Sequence, residues 1–291
     1  QSLMLGDAEF GLAGGAENMS RSPYILPQTR WGQKMGDAGA QDMMLGALNC
    51  TFGSGHMGVT AENVAQEHDI TRDAQDAFAL ESQQRAAKAI EAGYFKDQIT
   101  PIEVRMKRET VAFEVDEHPK SSTMETLNGL RAVFQKDGTV TAGNASGIND
   151  GAGAVVLARA DAAEKAGLTP RARVIGYAHA GVRPEVMGIG TVPAVEDLLK
   201  KHGLNVSDFD VIESNEAFAA QALAVSKGLG LDPAKVNPNG GAIALGHPVG
   251  ATGASITVKA LHELDRIGGA KALITMCIGG GQGIALAIER T

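Results

Sequence analysis

"GHPVGATGASITVKALHELDRIGGAKALITMCIGGGQGIALAIE", Gly246 to Glu289, is the stretch whose reading decides the fold. The apolar periodicity from Ala251 through Leu264 is helical and stops at Gly268–Gly269, a natural helix end. Two apolar runs of strand length follow, "KALITMC" and "GIALAIE", with Gly279 to Gly281 between them. Pro248 suits a first helical position, which puts His247 at or just before a helix N-terminus. The helix dipole there disfavours protonation, so the imidazole is expected to stay neutral and able to accept a proton. Five glycines between Gly240 and Ala254 surround this histidine. They suit either close backbone approach to a ligand or a tight core turn.

Reading outward, the same alternation recurs. "DVIESNEAFAAQALAVSKGLG" gives a strand and an alanine-rich helix ending at Gly228, and "ARVIGYAHAG" gives a strand before a helix over Ala194–Lys201. "GTVTAGNASGINDGAGAVVLARADAAEKAGL" gives a turn, a strand over Ala152–Ala158 and a helix stopping at Gly167. Strands and helices in this order predict a layered α/β fold. Near the start, "AEFGLAGGAENMS" reads as a short buried strand running into a glycine turn. From Ser20 to about Thr139 the chain is different in character. It holds "SPYILPQTRWGQKMGDAG", two polar helices (about Thr60–Glu67 and Arg72–Ala92) and "KSSTMETLNGL". Charge on most faces of these helices predicts an inserted block that covers a surface. A faint echo links "QSLMLGDAEFGLAGGAE" to "HELDRIGGAKALITMCIGGG", each a helix end, a strand and glycines. If the two units correspond, the counterpart of the Gly246–His247 helix start falls before Gln1.

The bulk numbers exclude several classes. The 291 residues are 44% hydrophobic, 4% aromatic and carry a net charge of −8. That balance argues against broad binding to nucleic acid or an anionic membrane, and no apolar run is long enough to span a bilayer. Two cysteines, Cys50 and Cys277, form no disulfide framework, which favours a reducing, cytoplasmic setting. "QSLMLGD" reads as the last turns of a helix and not as a signal peptide, so organellar targeting stays open. No histidine–cysteine spacing suits zinc, no hydrolase elbow G-x-S-x-G is present, and "GGGQG" lies too near the C-terminus to open a dinucleotide-binding unit.

Candidate site residues sit at strand ends. Cys277 ends an apolar strand before three glycines whose N–H groups could face an oxyanion; a small core thiol is the plainer explanation. Asn215, where "ESNEAF" passes from strand to helix, is either at a ligand edge or a helix cap. Ser146 lies in a small-residue turn, and His56 and Met57 lie in the glycine-flanked loop "SGHMG". Cys50 has no sequence neighbour that would lower its thiol pKa.

Taken in series, "GGAENMSRSPY", "HMGVTAENVA", "TAGNASGIND", "NEAF", "NPNGGAIALGHPVGATGA" and "CIGGGQG" resemble the thiolase family, in that family's order from Gln1 to Thr291. The resemblance implies two similar βαβαβαββ halves in a layered αβαβα arrangement, with a loop domain inserted in the first. The implied boundaries are 1–19 with 140–167 for the remainder of the N-terminal half, 20–139 for the loop domain and 168–291 for the C-terminal half. It implies an acyltransferase that condenses two acetyl-CoA or cleaves 3-ketoacyl-CoA through an acyl-cysteine, with CoA and acyl-CoA as substrates, no permanently bound cofactor and no metal.

By the same resemblance His247 is the base, Cys277 moves the α-carbon proton, Asn215 holds a water at a thioester enolate, and the N–H of Gly279 serves the other oxyanion hole. Ser146, His56, Met57, Phe218, Ala142, Ala217 and Leu48 line the CoA and acyl pocket. The family forms dimers and tetramers, and "RWGQKMGDAG" falls in the region that often mediates tetramer contacts. The family's nucleophilic cysteine, in a C-G-S-G-type motif, is expected about twelve residues before Gln1. Cys50, in the loop region, is no substitute for it. Two alternatives stand: a catalytically inactive CoA-binding scaffold, and a β-ketoacyl synthase, which would need a second histidine in an H-G-T context that this chain lacks.

Overall fold

In the computed structural model, which describes residues 1–291, the C-terminal alternation forms a four-stranded sheet. Its strands are β3 (Ala172–Gly181), β4 (Val211–Ser214), β5 (Lys271–Ile278) and β6 (Gln282–Arg290), in spatial order β4-β5-β6-β3. β4 and β5 run parallel, while β6 is antiparallel to both β5 and β3. Side chains alternate across β5, as the strand period requires. Leu273 joins Ala194, Val195, Leu198, Phe209, Ile212, Ala285 and Ala287 on one face, under helix α3 (Thr191–His202). Ala272 and Ile274 join Val211, Ile256, Ala260, Leu264 and Ile288 on the other, under helix α5 (Thr252–Ile267). Full burial of side chains such as Leu198, Phe209 and Ile212 contributes about 1.5–3 kcal/mol each. Both helices end where expected of glycine: Gly203 and Gly268 take left-handed φ values of 63° and 65°.

The second sheet is a ribbon. β1 (Phe10–Asn18) pairs antiparallel with β2 (Asp150–Ala158), from Phe10 opposite Ala158 to Asn18 opposite Asp150. α5 lies between this ribbon and the four-stranded sheet, so one helix is shared by two sheets. The glycines of the ribbon make that possible. A Cβ on Gly153 would stand 2.8 Å from Ser255 Oγ, and one on Gly15 would overlap the carbonyl oxygen of Gly250. This corrects the expectation of a short strand ending in a glycine turn. Gly14 and Gly15 lie in mid-strand, where they serve close approach and not chain reversal.

The polar helices are α1 (Met57–Glu67) and α2 (Arg72–Glu91), and they too depart from expectation. They do not merely cover a surface, because their buried faces are partly polar. Gln75, Asp76, Ser82 and Gln83 of α2 are buried, as are Thr60 and Glu62 of α1. The Glu62 carboxylate accepts from the backbone N–H groups of Thr139 and Val140 at 2.8–2.9 Å. Asp76 takes Arg72 Nε at 2.7 Å and Asn144 Nδ2 at 2.8 Å. Hydrogen bonds replace the apolar stripe that periodicity looks for. Through Val64 with Val186 and Ala224, and Ala79 with Ala219 and Ile243, both helices pack on helix α4 (Ala219–Leu229) and its surroundings. α4 itself runs one residue past the expected stop at Gly228 and caps on Gly230. No helix is long and apolar enough to cross a membrane.

Candidate active site

The site grows from two chain segments at strand ends, after β4 and at the end of β5, and from the loop that follows the short helix Ala242–Leu245. β4 ends at Ser214, and the next residue, Asn215, donates its backbone N–H to the Thr275 carbonyl at 2.9 Å, continuing the β5 pairing. The turn Asn215–Phe218 is then pinned from below. The buried Glu216 carboxylate accepts from Ser82 Oγ at 2.7 Å, Asn237 Nδ2 at 2.8 Å and Ile243 N–H at 3.3 Å. Burial raises its carboxyl pKa, and those three donors work against the rise. One carboxyl thus ties α2, the Asn237–Ile243 segment and the "NEAF" turn together.

His247 follows Gly246, whose φ of 98° brings the backbone against Asn149. The His247 N–H donates to Asn149 Oδ1 at 2.9 Å. Its ring lies between two side chains: Nδ1 is 2.7 Å from Thr252 Oγ1, and Nε2 is 3.3 Å from Asn215 Nδ2. The sequence placed this histidine at a helix N-terminus with Pro248 as the first helical residue. Residues 248–251 instead form a turn, in which Ala251 and Thr252 N–H groups bond the Pro248 carbonyl, and α5 starts at Thr252. The imidazole is neutral for a different reason. Burial, with no charged partner, pulls its pKa from 6.5 down to about 4. The folded chain therefore resists protonation between those values while the unfolded chain takes the proton. Stability linked to this group is present above pH 6.5 and is lost as pH falls toward 4.

Cys277, at the end of β5, is buried against Ala61, Val140, Met187, Ala217 and Phe218, with Met57, Phe134 and Ala145 packed on the same cluster. Burial pushes its thiol up to about 12, so it is held protonated. Just beyond it, a Cβ on Gly279 would stand 3.4 Å from Met57 Sδ, which leaves the Gly279 backbone close to that side chain. His56 caps α1 by accepting the Gly58 N–H on Nδ1 at 3.0 Å, and Met57 N–H donates to the Leu48 carbonyl at 2.8 Å. Ser146 N–H donates to the Ala217 carbonyl at 3.0 Å, and Ala145 bridges Phe218.

The structure thus gathers Cys277, Gly279, Met57, His56, Leu48, Ser146, Ala217 and Phe218 around one cluster. Asn215 leads from it to His247. Ala142 is apart, exposed in the turn Thr141–Asn144, whose polar contacts run to Thr139 and Asp76.

Sequence reasoning missed three residues here. Phe134 stacks on His56 with ring centroids 4.8 Å apart and meets Phe218 edge-on at 6.3 Å. Asn149 and Thr252 hold the backbone and ring of His247. Phe134 belongs to no motif, and the Thr252 contact depends on the Pro248 turn that the sequence read as helix. Cys50 also differs from expectation: main-chain hydrogen bonds at Phe52 and Ser54 lower its thiol pKa. It lies in the hairpin Asn49–His56, paired with Gly55. No group of three or more histidine, cysteine or acidic side chains is placed to hold a metal ion.

With this geometry in hand, likeness to known proteins is informative. Residues 1–161 match the thiolase N-terminal domain and residues 168–290 the thiolase C-terminal domain. The beta-ketothiolase BktB of Cupriavidus necator is 61% identical over 292 residues, covering 100% of this chain and 74% of that protein. The acetyl-CoA acetyltransferase of Escherichia coli is 54% identical with the same coverage. Human mitochondrial 3-ketoacyl-CoA thiolase superposes with a TM-score of 0.98 at 50% identity, over 100% of this chain and 74% of that one.

Proposed function

The chain belongs to the thiolase family and is an acyltransferase of the thiolase type, and from that premise we propose how its residues divide the work. His247 is the base that takes the proton of the nucleophilic thiol, and together with an Asn215-held water it stabilises the thioester enolate. Cys277 moves the proton at the α-carbon. The N–H of Gly279 is a donor of the second oxyanion hole. Leu48, His56, Met57, Ala142, Ser146, Ala217 and Phe218 line the path of the acyl group and of coenzyme A. The reaction is condensation of two acetyl-CoA or thiolysis of a 3-ketoacyl-CoA.

One observation carries this reading: a neutral imidazole and a buried carboxamide meet at 3.3 Å, and the Asn215 Oδ1 atom beside them is buried without a hydrogen-bond partner. An unmet buried acceptor next to a neutral base is costly unless a water or ligand atom uses it. Cys277 fits its role because a thiol held protonated by burial can give a proton and take one back.

On this reading the acyl-accepting cysteine is neither Cys50 nor Cys277 and lies outside residues 1–291. The enzyme incubated with acetoacetyl-CoA, quenched in acid and digested, is expected to carry no acetyl group on the peptides holding Cys50 or Cys277. An acetyl thioester on either would overturn the assignment. A lack of any CoA-dependent reaction would favour the inactive CoA-binding alternative.

The same reading divides the chain at 1–19 with 140–167, 20–139 and 168–291. Pairing of β1 with β2 across the whole intervening block supports it. We also read the protein as a cytoplasmic homo-oligomer, dimer or tetramer. The loop that carries Tyr24, Trp31 and Met35, all strongly exposed, supports self-association. Light scattering is expected to give a mass of at least two chains; a monomer at micromolar concentration would contradict it.

A further inference from the structure

Asn215 and His247 come from different parts of the chain, so the 3.3 Å between them is set by whatever holds those parts. The Asn215 carboxamide has no other protein hydrogen bond, and its Oδ1 is buried and unpartnered. Its aim therefore comes from its backbone. The Asn215 N–H is tied to the Thr275 carbonyl, and the next residue is the buried Glu216. His247 follows the short helix Ala242–Leu245 by way of Gly246. In that helix the Ile243 peptide is held at both ends. Its N–H donates to Glu216 Oε2 at 3.3 Å, and its carbonyl accepts from Gln83 Nε2 at 3.2 Å. Glu216 thus belongs to the Asn215 turn and also grips the helix that delivers His247.

The grip is chemically exacting. Asn237 Oδ1 accepts the Ser214 N–H at 2.9 Å, which fixes that amide and turns its Nδ2 toward Glu216 Oε1 at 2.8 Å. The Ile243 N–H faces Oε2. Neither of these donors can accept, so both oxygens of residue 216 must accept. A glutamine has one acceptor oxygen, and its NH2 group would meet a donor at the other position. Ser82 closes the arrangement from α2: its Oγ accepts the Gly241 N–H at 3.0 Å and donates to Oε2 at 2.7 Å. Gly241 leaves the room, since a Cβ there would overlap the Glu216 carboxyl.

We propose that Glu216 is a positioning residue: by accepting at both carboxyl oxygens it sets the distance between Asn215 and His247. It thereby places the water that the two hold at the thioester enolate. This rests on the reading of Asn215 and His247 as the enolate-stabilising pair. Glu216 itself touches neither substrate nor the reacting atoms and acts through the two segments it joins.

The test is steady-state thiolysis of acetoacetyl-CoA by the full-length enzyme, with thermal unfolding of the same samples. Glu216→Gln is expected to lower kcat by about a hundredfold, the scale of a misplacement of about 1 Å, while KM stays within about threefold. Asn215→Ala loses kcat as well. Adding Glu216→Gln to it should cost less than about threefold more, because no carboxamide is left to aim. Glu263→Gln is the control for stability alone. That buried carboxyl accepts from Asn239 Nδ2 at 2.7 Å and pairs with Arg266, and it bonds neither Ile243 nor the Asn215 turn. It should lower the unfolding temperature and leave kcat within about twofold. Three results would overturn the proposal: a Glu216→Gln enzyme with nearly wild-type kcat, losses that multiply in the double variant, or an equal loss of kcat in Glu263→Gln. If Glu216→Gln fails to fold, Ser82→Ala decides in its place, with a loss of about tenfold in kcat expected and an unchanged kcat overturning the proposal. An Asn215→Ala enzyme with unchanged kcat would sink the underlying reading and the proposal with it. Loss in Asn215→Ala without loss in Glu216→Gln fails the proposal alone.

Discussion

His247→Ala lowers kcat/KM for thiolysis of acetoacetyl-CoA by roughly a thousandfold, the scale of a lost general base. The loss falls on kcat, because the ring contacts Asn215 and Thr252 and is not part of the apolar cluster around Cys277 that would hold the acyl chain. KM should move only a few-fold. In the wild type, the group that must be unprotonated is held at about 4 by burial. kcat/KM is therefore insensitive to His247 ionisation down to about pH 5, and falls only as pH drops through 4. A limb near the ordinary histidine value of 6.5 would mean that the ring is better solvated than its packing shows. Steady-state assays across pH on both proteins measure this directly. An alanine variant within tenfold of wild type would dismiss His247 as the base.

Much of this site was readable before any coordinates, and the reasons for the exceptions are physical. β5 and α5 announce themselves because β5, packed on both faces, reads as an unbroken apolar run of strand length and α5 buries one apolar face with a period near 3.6. Asn215 and Cys277 are visible because a polar residue and glycines at strand ends break those patterns, and His247 because glycines and a proline surround it just before a helix. α1 and α2 hide their packing, since Glu62, Asp76 and Ser82 are buried by satisfying hydrogen bonds and not by being apolar. No hydropathy pattern distinguishes such a face from a solvated one. The start of α5 was misplaced for a related reason. Proline fits a first helical position and a turn equally well, and only the folded backbone, regular from Thr252 onward, shows which was chosen. The error carried a consequence: the neutrality of His247 was credited to a dipole, whereas desolvation is its cause.

Gly15→Ala should be strongly damaging for the addition of a single methyl group. The backbone at Gly15 is ordinary for a strand, so no left-handed φ needs relief, and the effect is purely steric. An added Cβ would overlap the Gly250 carbonyl and stand 3.3 Å from Ala251 Cα. Neither partner is a flexible side-chain end; both belong to the 248–251 turn that leads from His247 into α5. Overpacking a rigid contact of this kind costs about 1–3 kcal/mol or more, and here either β1 or the turn must move. If the turn moves, Thr252 and His247 move with it, and misplacement by about 1 Å costs on the order of a hundredfold in rate. Gly15→Ala is therefore expected to lose both stability and kcat. Gly11→Ala on the same strand, where the nearest atom to a new Cβ is Leu3 Cδ1 at 4.0 Å, should lose neither. Thermal unfolding and kcat measured on the pair separate the explanations. A Gly15 variant that is destabilised yet fully active would show that β1 yields and the turn does not. A variant unchanged in both would mean that the ribbon does not press on the catalytic turn at all.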